Sequence, residues 1–124
     1  MLYAILCYDS EAVTTAMSAE EDGALMGRLL AVQEKLAKRG KLGPVARLMP
    51  TNTASTLRKG PQTLVLDGPF AETKEQLLGF YVIDCESQEE AVGVANELAK
   101  AATHATGTYE IRPLMMFRPN AALT

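Results

Sequence analysis

A chain of 124 residues with 48% hydrophobic and 22% charged residues has the length and composition of one globular domain. Its net charge of -3 and its pI of about 5.2 argue against nucleic acid as a main partner, because phosphate binding needs clustered Lys and Arg. No apolar run approaches the roughly 20 residues that a membrane-spanning helix requires, so no membrane partner is predicted.

The N-terminal sequence predicts a cytoplasmic protein. The segment MLYAILCYDS has no basic region and reaches an acidic residue at Asp9, unlike a secretory signal peptide. Cys7 and Cys85 fall in two different predicted strands, and two such cysteines do not form a disulfide framework. Neither has His or carboxylate neighbours at ligand spacing, so no metal site and no cofactor are predicted.

The first half of the chain predicts a strand, a helix and a second strand. Leu2 to Tyr8 is apolar on both alternating faces, which is typical of a strand covered on both sides. Ser18 and Glu21 form a capping box that opens a helix. Val45 to Met49, closed by Pro50, is the second predicted strand.

A hairpin and a third long strand follow. Ser55 to Arg58 and Thr63 to Leu66 form the predicted arms of the hairpin, around a Lys-Gly-Pro turn. Ala71 to Gln76 is predicted to form one helical turn. Leu77 to Ile83 is strongly strand-like, and Gly79 within it predicts a bulge or a close approach of another backbone.

The C-terminal part predicts a second helix and a last strand. Ser87 and Glu90 form a second capping box before an apolar stripe of helical spacing. Thr108 to Leu114 is the last predicted strand. The chain is therefore expected to form one domain over residues 1–116 with a tail over residues 117–124.

The element order β-α-β-(hairpin)-β-α-β predicts an α+β fold of the ferredoxin-like type, a split β-α-β with an inserted hairpin. Both helices would cover one face of the antiparallel sheet. Apolar side chains on the other face would then need a second subunit, so the sequence predicts a homodimer packed through sheet faces.

The segment Asp67 to Gln76, DGPFAETKEQ, resembles the signature of the DGPF family, a branch of the YCII-related proteins. The opening MLYAILCY, the strand GFYVID and the closing Glu110 to Pro113 are also similar to that family. The resemblance covers nearly all of the chain, and a ten-residue match is highly specific.

This resemblance implies a bacterial protein that forms a dimeric α+β barrel from two ferredoxin-like protomers. It also implies two alternatives for function, a small-molecule enzyme with a His–Asp pair or an accessory protein beside an extracytoplasmic-function sigma factor. The chain has a single His, His104, far from the first helix, so a His–Asp pair within the N-terminal half is not expected.

Asp67 is the first candidate for chemistry. It ends a predicted strand before Gly68 and Pro69, where one interpretation is a turn carboxylate that accepts backbone N–H groups. The other interpretation is a general base that faces a pocket at the dimer centre. Gly68 and Phe70 would then contact the ligand.

The charged run after Asp67 also has two interpretations. It is either a solvated turn that closes a loop or part of a binding site for a small organic acid. In the second case Lys74 would bind the anion, and a Glu would share proton transfer with Asp67. The residues of this candidate site are Glu72, Thr73, Lys74 and Glu75.

His104 and Arg112 complete the candidates. His104 is either a cation at a helix C-terminus or the partner of Asp67, if the start of the last strand approaches the Asp67 loop. Arg112 shares a sheet face with Glu110, which favours a cross-strand ion pair over an anion clamp.

Three hypotheses remain open from the sequence. The first is a small-molecule-binding protein with lyase-like acid–base chemistry centred on Asp67. The second is a regulatory or accessory protein that acts beside a sigma factor. The third is a homodimer in which the DGPF segment builds only a tight turn. Whether the protein is an enzyme is not decided by the sequence.

Overall fold

The computed structural model describes residues 1–104 and 106–119. Nine strands and helices follow one another in these residues: β1 Leu2–Asp9, α1 Glu11–Thr14, α2 Ala19–Lys38, β2 Leu42–Arg47, β3 Ser55–Arg58, β4 Leu64–Asp67, β5 Gln76–Asp84, α3 Gln88–Ala102 and β6 Thr108–Pro113. A single 3-10 turn at Thr51–Thr53 lies between β2 and β3.

The main sheet has the strand order β2-β5-β1-β6, and all of its neighbouring strands are antiparallel. This order, with α2 after β1 and α3 after β5, confirms the predicted ferredoxin-like α+β fold. The protomer forms an open sheet and no closed barrel. β3 and β4 pair only with each other, as the predicted inserted hairpin.

The two long helices begin at the predicted caps. The Ser18 side chain accepts the Glu21 N–H, and the Glu21 carboxylate accepts the Ser18 N–H, which makes a complete capping box. At α3 the Ser87 hydroxyl accepts the Glu90 N–H. The Glu90 carboxylate instead contacts Lys41 and the Glu86 N–H, so the second box is only half formed.

The core lies between α2, α3 and one face of the sheet. Tyr3 and Ile5 of β1 and Tyr81 and Ile83 of β5 supply this face of the central strands. Leu25, Leu29 and Leu36 of α2 and five residues of α3 are buried against them. Since the two central strands carry the core, the ends of these strands are held in fixed positions.

Gly79 lies at a bulge where another backbone approaches closely, as predicted. The register between β1 and β5 shifts beside it, which marks a bulge. A Cβ atom on Gly79 would overlap the backbone carbonyl oxygen of Ala46 on β2. The glycine therefore allows β2 to pair closely with β5.

Two local predictions are wrong. β2 begins at Leu42 and ends at Arg47, whereas the sequence predicted Val45 to Met49, because an irregular register carries Gly43 and Pro44 into the sheet. Ala71 to Gln76 forms bends and not a helical turn. One turn has no long-range packing to offset the cost of nucleating a helix.

The sheet face opposite the helices carries apolar side chains on both central strands. Leu6 and Ala4 of β1 lie opposite Phe80 and Val82 of β5. Glu110 and Arg112 lie on the same face of the edge strand β6. The last part of the predicted tail, residues 120–124, lies outside the described residues.

Candidate acid–base site

Asp9 is the only buried charged residue in the part of the chain that the structure describes, with 3% of its surface exposed. It ends β1, where an otherwise apolar strand reaches the edge of the core. Its Oδ1 atom accepts the Ser10 N–H at 2.7 Å. A buried carboxylate requires hydrogen-bond partners, so the environment of the second oxygen is informative.

That second oxygen is bound by the single His of the chain. His104 Nε2 lies 2.8 Å from Asp9 Oδ2, across 95 residues of sequence. The other ring nitrogen, Nδ1, lies 3.2 Å from the carbonyl oxygen of Ala102. The His104 side chain is 27% exposed, so the pair has a buried member and a member that solvent can reach.

The start of β6 closes around the Asp9 carboxylate. The Thr106 hydroxyl lies 3.4 Å from Asp9 Oδ2, a long contact. Gly107 has a φ of 101°, in the left-handed region that favours glycine. A Cβ atom there would lie 3.0 Å from the Tyr8 carbonyl oxygen and 3.1 Å from Asp9 Oδ2. The chain can therefore pass this close to Asp9 only because the residue has no side chain.

Arg28 of α2 holds the segment that carries His104. Its Nε donates to the Ala101 carbonyl oxygen at 2.9 Å, and its Nη2 donates to the Thr103 hydroxyl at 3.2 Å. Thr103 has a φ of 64°, a left-handed conformation that is rare for a β-branched residue. Two hydrogen bonds from α2 thus stabilise the turn that directs His104 toward Asp9.

Asp9 and His104 line a cavity of about 800 Å³ between the sheet and α2. Its inner wall is largely apolar and includes Leu25, Met26 and Leu29. Such a volume, with a largely apolar wall and several polar groups, is typical of small-molecule sites. The cavity is large enough for a ligand that reaches the Asp9–His104 pair.

Three acidic groups of the inner wall are disfavoured as anions. Burial raises the pKa of the Cys7 thiol to about 12. Burial also raises the pKa of Tyr109, and it raises the pKa of Tyr81 against the smaller opposing effect of the Gln33 side chain. These groups remain neutral at physiological pH and can act only as hydrogen-bonding groups.

The sequence of residues 1–118 matches the YCII-related domain. The chain belongs to the YCII-related family. Asp9, His104 and the cavity between them lie within the matched residues. The chain is also similar to a protein of Rhizobium meliloti (strain 1021) that is described as uncharacterized. The two are 58% identical over 120 residues, which cover 96% of each chain.

In this YCII-related chain His104 does contact a carboxylate, but the partner is Asp9 and not Asp67. Asp67 ends β4 in the separate hairpin and is exposed. It lies opposite Ser55 and does not line the large cavity. Within residues 1–104 and 106–119 its carboxylate accepts no hydrogen bond, so the turn interpretation in which it binds backbone N–H groups is not realised there.

The rest of the DGPF segment folds beside the site and outside the large cavity. Gly68 has a φ of 93°, and its carbonyl oxygen accepts the Thr56 hydroxyl. Phe70 is 78% exposed. Glu72, Thr73 and Lys74 line a smaller cavity of about 300 Å³. The signature therefore does not form one site with His104.

The last two residues of the same segment, Glu75 and Gln76, form hydrogen bonds with the two chain segments that flank Asp9. The Gln76 side-chain oxygen accepts the Glu11 N–H at 2.8 Å, and Glu75 accepts the Thr108 hydroxyl at 2.7 Å. Glu11 is also bound by Thr51. These contacts indicate that the segment supports the strand ends around Asp9.

Arg112 lines neither cavity. It lies opposite Ala4 on the outer face of the sheet, and Glu110 lies opposite Leu6. The predicted cross-strand ion pair of Arg112 is absent from the described residues, since neither strand partner is charged.

Within residues 1–104 and 106–119 no group of three His, Cys, Asp or Glu side chains is arranged to hold a metal ion. The helices in these residues are also too short or too polar to cross a membrane.

Proposed function

We propose that the protein binds a small organic molecule in the cavity and that the Asp9–His104 pair transfers a proton to or from it. One observation carries this proposal, the 2.8 Å contact between His104 Nε2 and the buried Asp9 Oδ2 at the cavity wall. A His–carboxylate pair that meets a concave apolar site is a common arrangement for general acid–base catalysis.

The pair supplies one exchangeable proton between Nε2 and Oδ2. In a lyase-like reaction, the proton between Nε2 and Oδ2 would first pass to solvent, and Nε2 would then accept the proton of a ligand C–H bond. The electron pair of that bond would form a double bond as the leaving group departs with its own electrons. Asp67, the base expected from the sequence, would take no part, because it lies in the hairpin.

The single His makes this proposal directly testable by NMR. Small organic molecules are screened for thermal stabilisation of the wild type, of Asp9→Asn, of His104→Gln and of the matched control Asp67→Asn. A ligand of this site shifts the imidazole signals of His104, stabilises wild type and Asp67→Asn, and loses affinity in the other two variants. Ligands that bind all four proteins equally would place the site elsewhere.

Catalysis is tested on such a ligand by deuterium incorporation in D2O. Exchange of a ligand C–H that disappears in Asp9→Asn and in His104→Gln is the expected result. If ligand binding depends on the pair but no ligand C–H exchanges, the protein binds the ligand without proton transfer, and the acid–base step is rejected.

We further propose that the outer sheet face forms a homodimer, through the partly buried apolar pair Leu6–Phe80. Ala4 and Val82 beside this pair are already buried within the protomer. A dimeric barrel would follow from two such faces. Sedimentation at micromolar concentration should give twice the 13.4 kDa mass of the chain, and Phe80→Lys should reduce it to a monomer. A monomeric wild type would reject this assembly.

The alternative function, association with a sigma factor, is supported by a different surface. The hairpin exposes Leu57 and Val65 on one face and Leu64 on the other, and the exposed Phe70 follows it. An exposed apolar patch of this kind is typical of a protein-binding surface. A purified extracytoplasmic-function sigma factor should then bind wild type and lose affinity for Phe70→Asp, whereas equal binding of both would reject this surface.

A further inference from the structure

The charged side chains around the cavity restrict the kind of molecule that it can hold. Among the described lining residues, Asp9, Glu11 and Asp22 are acidic, whereas Arg47 and His104 are the only basic side chains. An anion would therefore enter a cavity whose wall carries more acidic groups than fixed positive charges. Like charges at short range disfavour binding, and more strongly where water is excluded.

The one Arg of the wall is already neutralised. Arg47 Nη2 donates to Asp22 Oδ1 at 2.8 Å, and Nη1 donates to Asp22 Oδ2 at 3.2 Å. This is a two-point ion pair, in which both carboxylate oxygens face the guanidinium. A ligand carboxylate would have to displace Asp22 or share Arg47 with it.

The inner wall disfavours charge of either sign. Leu25, Met26 and Leu29 offer no hydrogen bond to an ion. The neutral forms of Cys7, Tyr81 and Tyr109 are favoured by burial, and burial in the same wall would penalise a charged ligand for the same reason.

We infer that the ligand of this cavity is an uncharged molecule with a ring or branched alkyl body and one hydroxyl or carbonyl group. The body lies against the apolar wall formed by α2 and β5, and the polar group meets the Asp9–His104 pair. This inference rests on the proposed function, because it assigns a ligand class to that same site. It departs from the small organic acid that the Lys74 segment suggested.

Three probes of similar size test the ligand class: benzyl alcohol, benzoate and benzylammonium. They share a ring and differ in the charge of the head group. Each is titrated into the wild type while the His104 imidazole signals are followed by NMR. Benzyl alcohol should shift these signals saturably, and both ions should bind about tenfold or more weakly.

A charge variant gives the matched control. Asp22→Asn removes the negative charge that faces Arg47 with little change in the volume of the side chain, so it should raise the affinity for benzoate relative to that for benzyl alcohol. Arg47→Met should not improve benzoate binding. If Asp22→Asn shows no gain in benzoate affinity over wild type, the charge argument is overturned.

The failures of the two proposals are distinguishable. If benzoate or benzylammonium shifts His104 at lower concentration than benzyl alcohol, the uncharged class is wrong and the site stands. If benzyl alcohol leaves His104 unchanged while a charged compound from the wider screen shifts it, the class is again wrong. If no compound of either set shifts His104, both proposals are rejected.

Discussion

Replacing Asp9 by Asn tests the central contact of the site with the smallest change of shape. The substitution retains one acceptor oxygen, which can still receive the Ser10 N–H. The other oxygen becomes an NH2 group, so the Thr106 hydroxyl loses its acceptor, and the contact with His104 Nε2, now at 2.8 Å, can at most be replaced by a neutral hydrogen bond.

The expected loss follows from these two contacts. A hydrogen bond to a charged group contributes about 1.5–3 kcal/mol, and the 3.4 Å contact of Thr106 adds little. We therefore expect Asp9→Asn to lower the free energy of unfolding by about 2 kcal/mol. With an unfolding entropy of about 2.1 cal/mol/K per residue, this corresponds to a Tm decrease of about 8 °C for this chain.

The assay is urea unfolding and thermal melting of both proteins at one protein concentration, since any self-association makes the Tm concentration-dependent. The matched control is Asp67→Asn, which changes an exposed carboxylate in the hairpin and should cost less than about 0.5 kcal/mol. A larger loss of unfolding free energy for Asp67→Asn than for Asp9→Asn, at equal m values, would refute the conclusion that the contacts of Asp9 stabilise the fold.

Three further predictions concern the surroundings of the site. Gly79→Ala should lower the free energy of unfolding by more than about 3 kcal/mol in urea, because its Cβ overlaps the Ala46 carbonyl oxygen. Gly93→Ala on α3, where a Cβ has open space, should instead stabilise by up to about 1 kcal/mol, and equal losses would contradict the clash. The folded Cys7 thiol has its pKa raised from 9.0 to about 12, so its contribution to stability is complete below pH 9 and is lost as the pH rises toward 12. Cys7→Ala should show a shallower decrease of Tm than wild type over that interval, and parallel curves would reject the burial of the thiol. Arg28→Met should cost about 1 kcal/mol in urea unfolding and broaden or shift the His104 imidazole signals through the Thr103 turn. Unchanged signals would show that Arg28 does not position His104.

Local sequence signals predicted the fold because each of them acts within a few residues. The Ser18 box fixes the start of α2, and the alternation of β1 and β5 identifies the two central strands. The order of these elements then restricts the sheet to the ferredoxin-like arrangement. The position of β2 was less well predicted, because its register is irregular around Gly43 and Pro44.

The site was predicted only in part, because its two main residues are joined by tertiary structure. One of the two sequence interpretations made His104 half of a His–carboxylate pair, but its partner was sought in the DGPF loop. The sequence contained a feature that could have identified Asp9, because this acid ends a strand that is apolar on both faces. In the observed strand order, the end of β1 lies beside the start of β6, so this order alone predicts that Asp9 approaches the segment after α3.

The position of the two residues at opposite ends of the chain has a consequence for biosynthesis. Asp9 leaves the ribosome early, whereas His104 and β6 follow only after nearly all of the remaining chain has been made. Contacts between such distant segments form late, since closing a long loop has a large entropic cost. A nascent or truncated chain that ends before His104 therefore lacks the Asp9–His104 contact. The pair comes together only with the last strand, so any activity that depends on it begins when folding is complete.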